Sequence, residues 1–541
     1  MAEEQKFLQL PALGLPFALG TLYNANKNQI VPGISLCEYK DANERSANVD
    51  VRRNITYKTD ITTRDSLESK MRSLGISGNL TIGALANKVE VKGSGEYLSD
   101  TKTSKTQARV VLEASGTTKD EFLQMNCFLK EKFDHNQELI KRIGATHVVV
   151  GITYGHQFFL KLETNCESEE EKLKVEGSIQ LKVAYIPVQG EIKGSYNSKE
   201  EKKLNELQVK IHGNVQIKTN PTTFQEAMEI YKTIPELVKD KDCPMTVYLL
   251  PLASIYPSVP KVCGQIKESV LSSVTAMFED IGNSEVALSG IQTSDIATRE
   301  PRIRRKAKQL ATMLKGHKIW LQMKLHDIMS DPKMEKNSSE SEQILEVLKK
   351  HQNSPFSIKI LGIYVSKMEK EVRFMENLVR MLTVSHENGS SIDDTNRKEG
   401  EARKSKTTID IRSDDVDLVI PFERSNVFML ELPIITEEDD LLREMQNYDP
   451  DNDEISARWK AESLTLPFED ENIQRKVLKY AKVFAHLAGS NKDDDDEYPT
   501  KFRCVFKVYI REGQPTINKY NHLIGDNELI DIDNYIDTEM K

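Results

Sequence analysis

His147 and His156 flank an apolar stretch and are the first residues to ask about acid–base chemistry. No nucleophile stands at a recognisable spacing from either, so no catalytic constellation results. The six cysteines, Cys37, Cys127, Cys166, Cys243, Cys263 and Cys504, are scattered and form no C-x-x-C pair. That excludes a zinc ribbon or a thiol–disulfide motif and fits free structural thiols. Asp449, Asp451 and Asp453 imitate the start of a calcium loop. Glu454 replaces its sixth-position glycine and Lys460 its twelfth-position glutamate, so the geometry fails. Arg302, Arg304, Arg305, Lys306 and Lys308 form a basic cluster, which suits anionic lipid or nucleic acid and, more often, a solvated helix face. The expectation is a protein that is not an enzyme, with no cofactor, metal or small-molecule substrate.

The elements that would position these residues change character along the 541 residues. Up to about residue 252 the pattern is strand-rich. Leu207, Val209, Ile211, Val215 and Ile217 alternate with polar residues, the period of a sheet with one wet face. Residues 109–114 and 147–152 are further strands, the latter apolar enough to be central. From 264 the reading is helical. Leu361, Val365, Met368, Val372, Met375, Val379 and Leu382 form one apolar stripe. Trp320, Met323, Met329, Ile344, Leu345 and Leu348 suit earlier helices of a bundle. Residues 386–406 read as a polar linker. Beyond it, strands near 416–422 and 502–510 alternate with helices near 438–445 and 474–488, which predicts a small α/β domain.

The net charge of −10 argues against general nucleic-acid binding. No apolar run reaches the ~18 residues of a spanning helix. The N-terminus carries no apolar leader, so the expectation is a soluble chain without a signal peptide. Two segments support two structures at once. In 66–98, Leu67, Met71 and Leu74 share a helical face, yet Leu74, Ile76, Leu80 and Ile82 alternate as a strand. In 175–196, Val175, Ile179, Leu181, Val183 and Tyr185 alternate with polar residues. Each is long enough for a membrane hairpin of strands of ~9 to 11 residues, and each also suits an ordinary hairpin or short helices.

Several ordered stretches resemble the stonustoxin-type cytolysins of fish venom. They are LPALGLPFALGTLY at 10–23, IVPG at 30–33, ATHVVVGITYG at 145–155, PTTF at 221–224 and PMTVYLLPL at 244–252. Thr146, His147, Gly151, Tyr154 and Gly155 carry the resemblance in the central strand. Leu15 and Asn24 depart from the Arg and Asp expected in the opening motif. Tyr154 to Phe158 is only a partial perforin-type signature, since no Gly-Gly follows.

The resemblance implies a multidomain α+β chain. A domain of the membrane-attack-complex/perforin and cholesterol-dependent-cytolysin (MACPF/CDC) type spans 1–263, with a twisted antiparallel sheet and two helical clusters. A focal-adhesion-targeting-like helical domain spans 264–385, a linker 386–407, a thioredoxin-like domain without a redox motif 408–520 and a C-terminal tail 521–541. The family's C-terminal PRY-SPRY domain is expected to be lacking. The implied function is a pore-forming, haemolytic toxin that oligomerises on a target-cell membrane, with copies of itself or a related subunit, and refolds both clusters into β-hairpins. Leu74, Ile76, Leu80, Ile82, Val175, Ile179, Leu181, Val183 and Tyr185 would then insert. Helical clusters in the water-soluble state would hide Leu74, Ile76, Leu80, Ile179, Leu181 and Val183. Such a protein would be released by an unconventional route. The alternative is a non-lytic cytoplasmic scaffold that keeps the architecture.

Overall fold

The computed structural model describes residues 7–37, 41–87, 89–124, 137–185, 203, 206–214, 217, 220–237, 242–256, 259, 266–330, 339–387, 409–411, 426–433, 440–452, 470–489, 506–511, 516–521, 526–529 and 531–539. They form two compact units. One is Met1–Gly282 with Lys318–His351, and the other is Asn283–His317 with Gln352–Lys541. The helices Glu268–Thr293 and Pro301–Ser330 each contribute to both. At 1.5 Å per residue, helices of 26 and 30 residues outrun a single core.

The first unit is built on a nine-stranded sheet. Its strands are β1 (Leu8–Pro11), β2 (Thr21–Asn24), β3 (Gln29–Ser35), β4 (Val49–Arg53), β5 (Lys58–Thr62), β6 (Gln107–Leu123), β7 (His147–Asn165), β8 (Gln208–Gly213) and β9 (Cys243–Pro251). β7 is 19 residues long, rich in β-branched and aromatic types, and buried along almost its whole length. It pairs with β6 from Gln107↔Asn165 to Phe122↔Gly151. On its other side it pairs first with β9 and then with β8. The expected strand over 207–217 is shorter, ending at Gly213.

The described residues of 66–98 form two short α-helices and a 3-10 stretch joined by turns. The Ser66 hydroxyl accepts the Ser69 N–H and caps Leu67–Ser73. Gly75 and Gly78, both at positive φ, turn the chain into Asn79–Leu85, and a 3-10 stretch follows at Gly93–Ser99. From 169 the chain forms the helix Glu169–Tyr185, while 186–202 lie outside the described residues.

In the second unit the stripe Leu361, Val365, Met368, Val372, Met375 is buried as expected. Beyond Met375 the buried position is Leu378, with Val379 half-buried, and the Leu382 side chain lies outside the described residues. Arg304, Arg305 and Lys308 of the basic cluster are exposed, whereas Arg302 is half-buried beside Glu300 and Lys306 is buried with its ammonium 5.5 Å from the centre of the Tyr364 ring. His317 stacks on Phe356 at 4.8 Å, and Tyr448 closes on both rings. A five-stranded sheet contains β10 (Ile409–Ile411), β11 (Asn426–Pro433), β12 (Phe506–Arg511), β13 (Thr516–Asn521) and β14 (Asp526–Leu529), in the order β10-β12-β11-β13-β14. Helices Asp440–Gln446 and Glu471–Gly489 stand near the expected positions. The strand expected at 416–422 and the acidic run 493–497 lie outside the described residues. The stretch read as a C-terminal tail is structured instead. β14 pairs with β13, and the helix Ile532–Glu539 is tied to Glu471–Gly489 by the Lys479–Asp533 ion pair.

Among the described residues no His, Cys, Asp and Glu group could hold a metal. Asp449 accepts the Asp451 N–H in a simple turn, and Asp453 and Lys460 lie outside the described residues. No described helix is long and apolar enough to cross a membrane.

Candidate functional site

β5, β6, β7 and β8 lie side by side in chain order, each antiparallel to the next. Neighbouring antiparallel strands can be joined by a two-residue turn. Here β5 passes to β6 through residues 63–106, and β7 passes to β8 through 166–207. The pairings Thr62↔Val111, Gln107↔Asn165 and Glu163↔Gln208 place both connections at the same end of the sheet. Two long segments, helical at Leu67–Ser73, Asn79–Leu85, Gly93–Ser99 and Glu169–Tyr185, are thus inserted where short turns would suffice.

The segments cover opposite faces. Arg109, Lys161 and Glu163 point toward the first segment and are 1, 0 and 2 % exposed. The Arg109 guanidinium lies 2.6 Å from Asp65 and 2.9 Å from Glu163, and donates to the Thr101 carbonyl. The Lys161 ammonium lies 2.5 Å from Asp100 and 3.2 Å from Glu163. Lys70 pairs with Asp65 and donates to the Asp100 carbonyl. His212 and Lys210 on β8 complete the rim, against Asp100 and Glu163 respectively. Burial alone would raise the Asp100 carboxyl. Hydrogen bonds from His212 and Lys161 outweigh it and hold that carboxyl well below the usual carboxylate range. Burial pushes the Lys161 ammonium down, against the pull of Asp100.

Tyr97 stacks on Phe159 on this face at 4.3 Å, and Gln157 donates to the Ser73 carbonyl. The segment is fastened from outside as well. Glu279 accepts the Leu67 N–H, Asn79 accepts the Ile266 N–H, and Gln322 donates to the Leu85 carbonyl. Leu74, Ile76, Leu80 and Ile82 are all buried.

The opposite face is apolar. Val110, Leu112, Phe158, Leu160 and Leu162 meet Val175, Ile179 and Val183 of the helix Glu169–Tyr185, with Ala227 and Met228 of the helix Phe224–Leu237 beside them. The expectation that the second cluster hides Leu181 is wrong: Leu181 is 60 % exposed. Residues 175, 179 and 183 recur every four positions and share a helical face, whereas a residue two positions from Ile179 points away. Tyr185 ends the helix.

Thr146, His147, Gly151, Tyr154 and Gly155 shape the other half of β7. Thr146 accepts the Ala25 N–H and bonds the His147 ring at 2.9 Å, while burial lowers His147 to about 4. Gly151 lies beneath Phe122 and Tyr248 of the flanking strands, and a Cβ there would come within 2.4 Å of the Phe122 ring. At Gly155 a Cβ would stand 2.0 Å from the Gly116 carbonyl oxygen. The β6–β7 and β7–β9 registers both shift at this level, where such irregularities kink and twist a sheet. Tyr154 is pushed up to about 12 by burial, with Glu121 nearby. His156 is buried, its pKa lowered by burial, and neither ring nitrogen has a hydrogen-bond partner among the described residues.

Two family models match this architecture: "SNTX, MACPF/CDC-like domain" over residues 7–235 and "Stonustoxin helical domain" over 276–373. The chain belongs to the stonustoxin family. Among similar family members, cytolytic toxin-beta of Scorpaena plumieri is 33% identical over 276 residues, 50% of this chain and 39% of that protein. Stonustoxin subunit beta of Synanceia horrida is 28% identical over 384 residues, 70% of this chain and 53% of that protein. This family member thus spans between about two fifths and about half of the curated relatives it matches. A solved stonustoxin structure superposes with a TM-score of 0.66 at 20% identity, covering 96% of this chain and 69% of that one, which shows the shared α+β multidomain fold.

The ionic knot of Arg109, Asp65, Asp100, Lys161 and Glu163 was missed in the sequence. Its signal is present in the alternation of Arg109 with Val110, and of Lys161 and Glu163 with Leu160 and Leu162. Such alternation reads as one wet face, but here the charged face is covered by a segment that brings its own carboxylates.

Proposed function

We propose that the chain is a pore-forming cytolytic effector whose segments 63–106 and 166–207 unwind and extend β5–β6 and β7–β8 as two transmembrane β-hairpins. The topology carries this reading: both segments are spliced between neighbouring antiparallel strands at one end of the sheet. The second segment adds support. Its helix exposes Leu173 and Leu181, and an extended chain would bring them onto one face with Val175, Ile179, Val183 and Tyr185. Leu74, Ile76, Leu80 and Ile82 play the same role in the first segment. One subunit would leave strand edges unpaired in lipid, so the hairpins insert only within a closed ring of copies or related subunits. The "subunit" in the name of stonustoxin subunit beta supports such an assembly.

In this reading the second unit contributes a helical part and a thioredoxin-like part. The mixed sheet order supports the latter, with β10, β12 and β11 parallel and β13 and β14 antiparallel. The chain acts on the target membrane and catalyses no reaction. The test is a Ser73→Cys/Gln157→Cys pair that tethers the first segment to β7, assayed by dye release from liposomes. Oxidation should block release and reduction restore it. Unchanged release with the tether closed would show the hairpin mechanism to be wrong. A parent protein that binds liposomes without releasing dye would favour the non-lytic scaffold.

A further inference from the structure

We infer that the knot around Arg109 is a lock dedicated to the first segment, separate in chemistry and in opening from whatever holds the second. Asp65, Lys70 and Asp100 belong to the segment, whereas Arg109, Lys161 and Glu163 belong to the sheet. Lifting the segment therefore breaks the Arg109–Asp65, Lys161–Asp100 and His212–Asp100 contacts together. It leaves Glu163 with Arg109, Lys161 and Lys210. Of the knot's own groups, the sheet keeps Arg109, Lys161 and Lys210 against Glu163 alone, and the segment takes Asp65 and Asp100 with Lys70, so a half-open state strands unpaired charge under partial cover. Such a contact resists small excursions and yields all at once.

Among the described residues the second segment has no counterpart. Its buried side chains at the sheet are apolar, apart from Glu176, which accepts the Arg109 backbone N–H at 3.0 Å. Arg109 thus touches both segments through different groups, the guanidinium on one side and the amide on the other. Opening one segment does not require breaking the other's bond to Arg109, and the direct links between the segments lie where they leave the sheet, from the Lys172 ammonium to the Lys105 carbonyl, which is exposed, and from the Cys166 N–H to the Thr106 carbonyl.

The lock deepens the pore-forming reading but is testable without a membrane, so failure of one is distinguishable from failure of the other. The experiment is amide hydrogen exchange on the full chain in solution, followed over 67–99 and 169–185 through low denaturant. In the parent, the two stretches should open with different free energies, and a single shared value would overturn the proposal. In Asp100→Asn, exchange over 67–99 should rise by roughly 100-fold, as expected when a buried ion pair loses one partner, with 169–185 changed less than about threefold. Equal acceleration of both stretches, or of neither, would refute the lock. Should Asp100→Asn fail to fold, the milder His212→Gln serves, because it removes a rim partner only. It should still loosen 67–99 selectively, and an even response would count against the proposal. Asp100→Leu/Lys161→Met, which replaces the pair by apolar side chains, should bring 67–99 back to within about tenfold of the parent.

Discussion

The two faces of β6 and β7 solve the same problem with opposite chemistry. Toward the first segment the strands present Arg109, Lys161 and Glu163, and toward the second they present Val110, Leu112, Leu160 and Leu162. Both faces are dry. The apolar face gains stability in proportion to the area covered, and apart from the Glu176–Arg109 amide hydrogen bond its buried contacts are not directional. The charged face has its desolvation offset only when every partner is in place, so it specifies one position for the segment and loses most of its stabilisation if one group is removed. One sheet thus carries a graded contact on one side and an all-or-none contact on the other.

The largest expected effect is on the charged face. Arg109→Met leaves Asp65, Asp100 and Glu163 short of a cation and should destabilise the first unit by about 3 to 5 kcal/mol, read from denaturant unfolding. A loss below about 1 kcal/mol would erase the contrast between the faces. On the apolar face, Ile179→Ala should cost about 3 kcal/mol through a cavity beneath the helix Glu169–Tyr185.

Acid sharpens the comparison further. The lowered Asp100 carboxyl gives stability that is fully present above its ordinary pKa and is lost only as the pH falls below it, so the knot stays closed between pH 8 and 5. His147 behaves oppositely. Its folded pKa lies near 4, below the ordinary 6.5, so stability present above 6.5 declines as the pH falls toward 4. Between pH 7 and 5 that decline should reach about 2 kcal/mol. A His147→Gln variant should lose this part of the dependence in thermal melts, while Asp100→Asn should keep it. The smallest effect belongs to the exposed side of the second helix. Leu181→Ala should change stability by less than about 0.5 kcal/mol, and a larger loss would contradict its exposure.

Three of the nine strands of the central sheet, read at 109–114, 147–152 and 207–217, the long apolar helix stripe and the two segments of double character were legible in the amino-acid order, because each rests on periodicity within a short window. Leu74, Ile76, Leu80 and Ile82 show their ambiguity through residues a few positions apart, and so do Val175, Ile179 and Val183. The resemblance of 145–155 to the family's central strand was likewise local. Which face of each strand is wet was not. Lys161 and Glu163 alternate with leucines as they would in any half-exposed strand, and nothing within ten residues of either announces Asp65 or Asp100. Leu181 shows the converse: its period-2 partners suggested burial, but the helix turns it outward. Local pattern follows from bonds and sterics along the chain, and the sequence determined it alone. Burial of a charge depends on which distant segment arrives with the opposite one, and only the tertiary structure decided that.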